Sequence, residues 1–428
     1  MKEPDCEDAD DVFTAAAWEE TMESVQGRCV VVLGTMDTKE KEVAYLCGQL
    51  KAHGLAARVM DVGISGAPSS PADFSRQLIA SKTAADIASL LAQSDGKLRA
   101  MAAMADGSLL LLEEELLSGE IAGVFGLGGG VGTWIGIKVM SALPFGLPKI
   151  MISPLPFDIR PSLGSRDIMV IPSVTDILGL NPILRKVLQN AAAAMAGMAA
   201  VNIPVQFSKK LIGITALGVT TPLVTACKEI LEEEGFEIAA FHGVGIGGKI
   251  FEEWVQTKAF AGVLDLTPHD ITNFLFEGIS PPYSGRLESA GEKGIPQVVA
   301  PGGLDFVSRG PIKTLSPEDR AKKHYRHSPM FTHVRVGADE MKAVARLVAE
   351  KLNMSTGPVT VAIPLQGFSY QGHAGGELAD GESDMTFVRI LKQELKKDIP
   401  VIEVEAHVND RLFAETVCSL LLQIIDSV

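Results

Sequence analysis

The sequence lacks the features that mark several large classes of protein. Its 428 residues include only five cysteines, which form no CxxC pair and no cysteine–histidine zinc spacing. No apolar run approaches the roughly 18 residues that a membrane-spanning helix needs, and the N-terminus is acidic where a secretory signal would be basic. We therefore expect free thiols, no membrane span and a cytoplasmic location.

Positive charge is also scarce. The chain has 38 Lys and Arg against 53 Asp and Glu, a net charge of -15, which opposes binding to nucleic acid or to an anionic membrane. Hydrophobic residues make up 46% of the chain and charged residues 21%, which excludes global disorder. At roughly 150 residues per domain, the length suggests two or three domains. The acidic charge balance favours a soluble protein that handles small molecules.

Glycine, by contrast, is abundant. Its 42 residues are about a tenth of the chain, above the usual ~7%, and they gather where predicted strands end. The glycines at these strand ends therefore mark the candidate sites.

From Arg28 onward, apolar strands, glycine or polar turns and amphipathic helices alternate, as is typical of α/β proteins. The second half repeats the order of the first: KKLIGITALG corresponds to RCVVVLGT, EIAAFHGVGIGG to AARVMDVGISG, and FAGVLDLTPHD to IAGVFGLGGG. We predict two Rossmann-like doubly wound parallel-sheet domains related by an internal repeat. Their predicted bounds are 28–203 and 208–428, after an acidic N-terminal arm over 1–27.

The first candidate site is the turn LGTMDTKEKE after the first strand. Gly34 lets a ligand approach the backbone, Thr35, Asp37 and Thr38 offer polar groups, and Lys39 opens a helix whose N-terminal amides attract anions. A phosphate or ribose cradle and an ordinary helix cap explain this spacing equally well. The turn contains neither GxxxxGK[ST] nor GxGxxG.

The second candidate is the glycine run FGLGGGVGTW before an apolar helix. Successive glycines free several backbone amides to face one oxyanion, which favours a phosphate nest over a simple packing turn. The residues assigned to it are Gly128, Gly129, Gly130, Gly132 and Thr133.

The third candidate is HGVGIGGK in the second half, with His242 at the end of a strand. His327 and Arg335 lie in the ionisable run KKHYRHSPMFTHVR, and Asp410 follows the last strand. His242, His327 and Asp410 are candidates for proton transfer, with Arg335 orienting a carboxylate. No spacing indicates a metal site, and nothing resembles GxSxG.

Many ordered motifs together resemble one known family, the Tm-1-like ATP-binding domain family of the tomato mosaic virus resistance protein and its bacterial homologues. The resemblance runs from about Arg28 to Ile425. It is carried by these segments: GTMDTK from Gly34, DVG from Asp61, GLGGGVGT from Gly126, IPSVTDILGLN from Ile171, GVTTP from Gly218, FHGVGIGGK from Phe241, and VNDRLFA from Val408.

This resemblance implies two Rossmann-like subdomains with ATP bound in the N-terminal one. Carried over by motif, the nucleotide meets Asp37, Thr38, Lys39, the region after Asp61, and residues 128–133. It also implies a homo-oligomer and a separate partner, a TIM-barrel protein resembling phosphoenolpyruvate hydrolases. Whether Mg²⁺ accompanies the nucleotide is left open.

Three hypotheses for function follow. The first is an ATP or nucleotide-phosphate binding protein with a second small anionic-metabolite site in the interdomain or C-terminal cleft. The second is a hydrolase or lyase acting on a small oxo-acid or acyl compound. The third is a protein-binding inhibitor. Whether the protein is an enzyme is left open.

Overall fold

A computed structural model describes residues 28–66, 68–154, 160–163, 166–201, 209–280 and 282–427. The predicted arm over 1–27 lies outside these residues. The described residues form two compact units, one within residues 1–205 and the other within residues 206–428. None of the described helices has the length and apolar character that crossing a bilayer requires. Cys29, Cys47, Cys227 and Cys418 are free thiols.

The N-terminal unit contains five strands and seven helices among its described residues. The strands are β1 (Cys29–Gly34), β2 (Ala56–Asp61), β3 (Ile121–Leu127), β4 (Lys149–Ser153) and β5 (Met169–Pro172). The helices are α1 (Met36–Ala52), α2 (Arg76–Lys82), α3 (Ile87–Leu91), α4 (Gly96–Leu117), α5 (Gly130–Ala142), α6 (Arg160–Leu163) and α7 (Pro182–Ala200).

All five strands are parallel, in the order β2-β1-β3-β4-β5. Alternate residues of β1 enter different cores: Val31 and Leu33 pack with residues of α4 and α5, whereas Val30 and Val32 pack with residues of α1 and α7. The sheet is buried on both faces, which is why its strands read as continuous apolar runs. From β1 the chain runs to β2 on one side of β1, and from β2 it crosses to β3 on the other side of β1. The direction in which strands are added therefore reverses, and the switch point lies between β1 and β3.

The C-terminal unit has a six-stranded parallel sheet and a smaller antiparallel one. Its strands are β6 (Leu211–Ala216), β7 (Glu237–His242), β8 (Phe260–Asp265), β9 (Gln297–Val299), β10 (Phe306–Arg309), β11 (His324–Arg326), β12 (Thr332–Arg335), β13 (Val359–Pro364) and β14 (Val401–Val404). Its α-helices are α8 (Thr221–Glu233), α9 (Ile246–Gln256), α10 (Asp270–Leu275), α11 (Ser289–Lys293), α12 (Pro317–Ala321), α13 (Ala338–Asn353), α14 (Gly381–Glu394) and α15 (Arg411–Asp426). Short 3₁₀ turns span Gly218–Thr220, Ile312–Thr314 and Tyr370–Gly372.

The parallel sheet has the order β14-β13-β9-β8-β6-β7. Read from the other edge, this order matches that of the first sheet and adds one strand, so the predicted pair of repeated doubly wound domains is confirmed. The antiparallel sheet, ordered β10-β12-β11, was not predicted. It is inserted in the chain between β9 and β13 and places Ser308 of β10 opposite His333 of β12.

Candidate functional site

A cavity of about 230 Å³ lies at the carboxyl edge of the first sheet, at the switch point between β1 and β3. This is the place where ligands bind in open α/β sheets. The lining residues come from the turns after β1, β2 and β3: Thr35, Asp37, Thr38, Lys39, Ile64, Ser65, Gly129, Gly130, Val131 and Gly132.

One wall of this cavity is the N-terminus of α5. Gly129 is the N-cap residue and has no side chain to cap the helix, and its carbonyl accepts the first turn's bond from the Thr133 amide at 2.8 Å. The N–H groups of Gly130, Val131 and Gly132 precede any intrahelical acceptor. Uncapped amides and the positive end of the helix dipole therefore face the cavity.

Different structural constraints act on the glycines of this run. A Cβ atom on Gly128 would lie 2.8 Å from the Cα of Gly132, so close backbone packing excludes a side chain there. A Cβ atom on Gly129 or Gly130 would meet nothing within 4 Å, and neither residue has a left-handed backbone. Packing within the described residues does not require glycine at these two positions, where a side chain would enter the cavity.

The acidic residues next to the cavity hold its turns together. Asp61 accepts hydrogen bonds from the amides of Met36 at 3.2 Å and Gly63 at 2.9 Å, and from Arg76 Nε at 2.8 Å. Asp37 accepts the Ser65 amide at 2.9 Å and lies 4.0 Å from Arg76. Both carboxylates thus already have partners, and Arg76 offsets their charge.

Lys39 has no carboxylate partner among the residues that the structure describes, although it lines the cavity. It interrupts α1 with a non-helical backbone, φ −126° and ψ 18°. A positive charge without a partner beside uncapped amides is suited to an anion.

The structure brings together seven of the eleven residues assigned to the nucleotide: Thr35, Asp37, Thr38, Lys39, Gly129, Gly130 and Gly132. The other four lie behind this surface. Gly34 and Gly128 allow close packing, Asp61 ties turns together, and Thr133 donates to the Gly128 carbonyl at 3.0 Å.

A second cavity, of about 340 Å³, lies at the corresponding edge of the C-terminal unit. Residues that follow β6 and β7 contribute, together with residues of the antiparallel sheet. The lining residues are Leu217, Gly218, Val219, His242, Val244, Ile279, Ser280, Ser308, His327, Phe331 and His333. The cavity unites the predicted His242 and His327 with His333, and none of the described residues that line it carries a carboxylate.

Aromatic rings are stacked beside this cavity. The ring centroids are 4.3 Å apart for His269 and Phe306, 4.1 Å for Phe306 and His333, and 4.7 Å for His333 and His327. Burial lowers the pKa of His269 to about 4 and that of His333 to about 3. Partial desolvation also lowers the pKa of His242. These three imidazoles are therefore neutral near pH 7.

His269, fully buried, is hydrogen-bonded through both ring nitrogens. Its Nδ1 lies 2.6 Å from the Gly303 carbonyl oxygen and its Nε2 lies 2.9 Å from Ser308 Oγ. A carbonyl only accepts, so Nδ1 carries the proton of the neutral ring, and Nε2 accepts from the Ser308 hydroxyl. Ser308 itself lines the cavity.

Arg335 and Asp410 do not line this cavity. Arg335 is 3% exposed, donates to Asp384 Oδ1 at 2.5 Å, and lies 3.2 Å from Asp305. Burial raises the pKa of Asp384 to about 7. Asp410 is the N-cap residue of α15 and accepts the His407 amide at 2.8 Å. The structure gives both residues stabilising contacts away from the imidazoles.

The glycine turn after β7 differs from the run after β3. The amide of Gly245 donates to Asp270 Oδ1, and Asp270 also accepts from Arg286 Nε at 3.2 Å. Cβ atoms on Gly243, Gly247 and Gly248 would collide with neighbouring carbonyl or carboxylate oxygens. Internal packing thus accounts for these three glycines, and a carboxylate of the chain itself occupies the turn.

Both halves of the chain match domains of one protein family. Residues 28–204 match the N-terminal domain of the family described as "Uncharacterised protein family (UPF0261)", and residues 209–425 match its C-terminal domain. The chain belongs to the UPF0261 family.

Bacterial and plant relatives align along nearly the whole chain. A UPF0261 protein of Clostridium tetani is 34% identical over 93% of this chain and 99% of the relative, and one of Mesorhizobium japonicum is 35% identical over 92% and 98%. The ToMV resistance protein Tm-1(GCR237) of Solanum lycopersicum is 32% identical over 92% of this chain and 55% of the tomato protein. The resemblance drawn from the motifs is confirmed.

Among solved structures, the Streptomyces sp. SF2575 glycosyltransferase SsfS6, complexed with thymidine diphosphate, matches with 10% identity, a TM-score of 0.17, and coverage of 93% of this chain and 96% of that chain. So low a score supports no statement about this UPF0261 chain.

The sequence of this UPF0261 protein does not predict the contact between His269 and Ser308. His269 follows β8 in TPHD, a position at a strand end that could have drawn attention. Ser308 stands in the middle of a short strand and belongs to no recognisable motif. The pair forms because α10, which follows His269, packs against β10, which carries Ser308.

Proposed function

We propose that the N-terminal unit binds the phosphates of a nucleotide, with ATP as the ligand that the family resemblance implies. The observation that carries this proposal is the pair Gly129 and Gly130. Both precede or begin an uncapped helix, both border the cavity, and neither is required to be glycine by packing or backbone conformation. A ligand that approaches the backbone closely explains both.

The residues present suit such a ligand. Uncapped amides of α5 and the unpaired Lys39 supply positive potential for phosphate oxygens. The nearby Asp37 is held by Ser65 and lies near Arg76, which lowers its repulsion of an anion. The described residues contain no group of three His, Cys, Asp or Glu placed to hold a metal ion. An accompanying Mg²⁺ would therefore be held largely by phosphate oxygens and water.

Calorimetry with ATP tests this proposal on the wild type, Gly130→Asp and Gly48→Asp. The Gly130 change places a carboxylate beside the cavity, so we expect at least about a tenfold loss of affinity, ~1.4 kcal/mol. Gly48 lies exposed on α1 with open space around it, and the same change there controls for added charge. Absence of binding by the wild type, or equal binding by Gly130→Asp, contradicts the proposal.

We also propose that the second cavity holds a small metabolite with an anionic group. Three imidazoles line it, and no carboxylate is among its described lining residues, so N–H donors can bind an anion without charge repulsion from them. A thermal-shift screen with small carboxylic acids, repeated on His242→Ala, tests this: stabilisation should depend on His242. If no acid stabilises the wild type, the anionic site is wrong.

The homo-oligomeric state, the cytoplasmic location and the TIM-barrel partner stay predictions from the sequence and the resemblance. The third hypothesis, a protein-binding inhibitor, rests on the resemblance alone.

A further inference from the structure

The second cavity contains a serine in hydrogen-bond contact with a buried histidine, an arrangement that neither the motifs nor the relatives assign. Ser308 Oγ lies 2.9 Å from His269 Nε2, and His269 Nδ1 lies 2.6 Å from the Gly303 carbonyl oxygen. Ser308 thus supplies a nucleophile, His269 a base, and the Gly303 carbonyl a group that orients the base. We propose that Ser308 is the nucleophile, and His269 the base, of an acyl-transfer site that accepts short carboxylic esters.

The scaffold holds both side chains rigidly. The Ser308 amide donates to Asn273 Oδ1 at 3.0 Å, and its carbonyl accepts the Ile279 amide at 2.8 Å. The His269 ring packs on Phe306 and its Nδ1 also lies 3.2 Å from Thr272 Oγ1. Thr272 donates its own proton to the His269 carbonyl at 2.8 Å, which leaves its oxygen free to accept. Both contacts of Nδ1 therefore favour the tautomer that leaves Nε2 free to take a proton.

The proposed reaction needs only Ser308, His269, the ester and water. Ser308 Oγ bonds to the ester carbonyl carbon while its proton passes to His269 Nε2. The intermediate expels the alcohol, which takes that proton, and leaves an acyl-serine. Water then attacks the acyl carbon, gives its proton to Nε2, and releases the carboxylic acid as Ser308 regains its proton.

The remaining lining fits an ester. Leu217, Val219, Val244, Ile279 and Phe331 supply apolar surface for an acyl or alkyl group. His242 lines the same cavity without a hydrogen-bond partner among the described residues, so its ring N–H can bind the carbonyl oxygen. The Gly303 carbonyl stabilises the positive imidazolium of His269 that forms during transfer.

The experiment uses an alkyl fluorophosphonate, which phosphonylates an activated serine with loss of fluoride, and p-nitrophenyl butyrate as substrate. We expect the wild type to gain one phosphonyl group, mapped by mass spectrometry to Ser308, and to release p-nitrophenol. Ser308→Ala should lose both. Ser419→Ala is the matched control, because Ser419 is an exposed serine of α15 in the same unit that lies outside the lining of this cavity and contacts Gln423 rather than a histidine.

His269→Gln retains a donor for Gly303 but cannot take the serine proton, so turnover should fall by about 10²–10⁴-fold. Ser308→Cys keeps a nucleophile and should form a thioester with the acyl group of p-nitrophenyl butyrate, which mass spectrometry detects. This variant tests the site even if Ser308→Ala is poorly folded. Circular dichroism checks the fold of each variant. An unlabelled wild type, a label on another residue, or equal turnover by Ser308→Ala overturns the proposal.

This inference rests on the second cavity being a ligand site and is independent of nucleotide binding. Failure of labelling together with acid-induced stabilisation that depends on His242 would refute only the acyl transfer. Failure of both would refute the ligand site itself, and calorimetry with ATP reports separately on the N-terminal unit.

Discussion

The buried carboxyl group of Asp270 should make the C-terminal unit less stable as pH rises. Asp270 is 2% exposed and belongs to a cluster in which Arg286 also contacts Glu252 at 2.6 Å and Asp265 at 2.9 Å. Burial raises the pKa of Asp270 from 3.8 to about 6, against the opposing effects of Arg286 and the Gly245 amide. A single cation thus faces three carboxyl groups, and one of them is readily protonated.

The direction and size of this change in stability follow from proton linkage. Between pH values of about 4 and 6 the folded state binds more protons at Asp270 than the unfolded state, so the free energy of unfolding falls as pH rises and levels off above that range. At ~1.4 kcal/mol per pKa unit, this group contributes a decrease of about 3 kcal/mol. Asp270→Asn removes the titration and keeps an oxygen that accepts from Gly245.

Urea unfolding of both proteins, at several pH values from about 4 to 7, measures the difference. Trp254 fluorescence reports on the C-terminal unit when Trp18 and Trp134 are replaced by Phe. The stability of Asp270→Asn relative to the wild type should improve by about 3 kcal/mol over this range. Asp398→Asn, which removes an exposed carboxylate of the same unit, should stay within about 0.5 kcal/mol of the wild type throughout. Parallel stability curves for Asp270→Asn and the wild type would refute the reasoning.

Four further variants test other features. Gly128→Ala should destabilise the protein by about 1–3 kcal/mol because of its close contact with Gly132, whereas Gly130→Ala should stabilise it by about 0.4–1 kcal/mol; thermal melts of both that shift in the same direction would contradict this division of the glycines. Arg335→Leu leaves buried Asp305 and Asp384 without their cation and should cost about 3–5 kcal/mol in urea unfolding, so a wild-type midpoint would show that the cluster is not stabilising. Lys39→Ala should lower ATP affinity about tenfold in calorimetry without changing the melting temperature, and an unchanged affinity would remove Lys39 from the site.

The sequence predicted the parts of the fold that depend on local pattern. The apolar run of β1, the turn that follows it, and the second-half repeat all appear where periodicity and glycine placed them. The first cavity was predictable because the carboxyl ends of neighbouring parallel strands meet at one edge, which unites Thr35 with Gly130. The apolar helix predicted after the glycine run already begins within it, at Gly130, since glycine lowers helix propensity without preventing an N-terminal turn.

Features that depend on distant contacts were not predictable. Arg335 stands at a strand end in a basic run, and only the folded chain brings Asp305 and Asp384 to it. The strands β10 to β12 have three or four residues each, too short for a clear alternation, so the sheet that carries Ser308 was missed. The glycines after β7 look like those after β3 in sequence, and only the placement of Asp270 distinguishes them.

The antiparallel sheet forms one wall of the second cavity. Its residues Val307 and Val334 form a small core with Leu315, apart from the cores on the two faces of the parallel sheet. Residues 306–335 can therefore diverge, or be grafted between relatives, while the doubly wound sheet keeps its register. Such chimeras would exchange the wall that bears Ser308 and His333 and leave His269 in place, provided that Arg335 keeps its partner in α14. The lining of the second cavity can thus change through this one insertion while the parallel sheet stays unchanged.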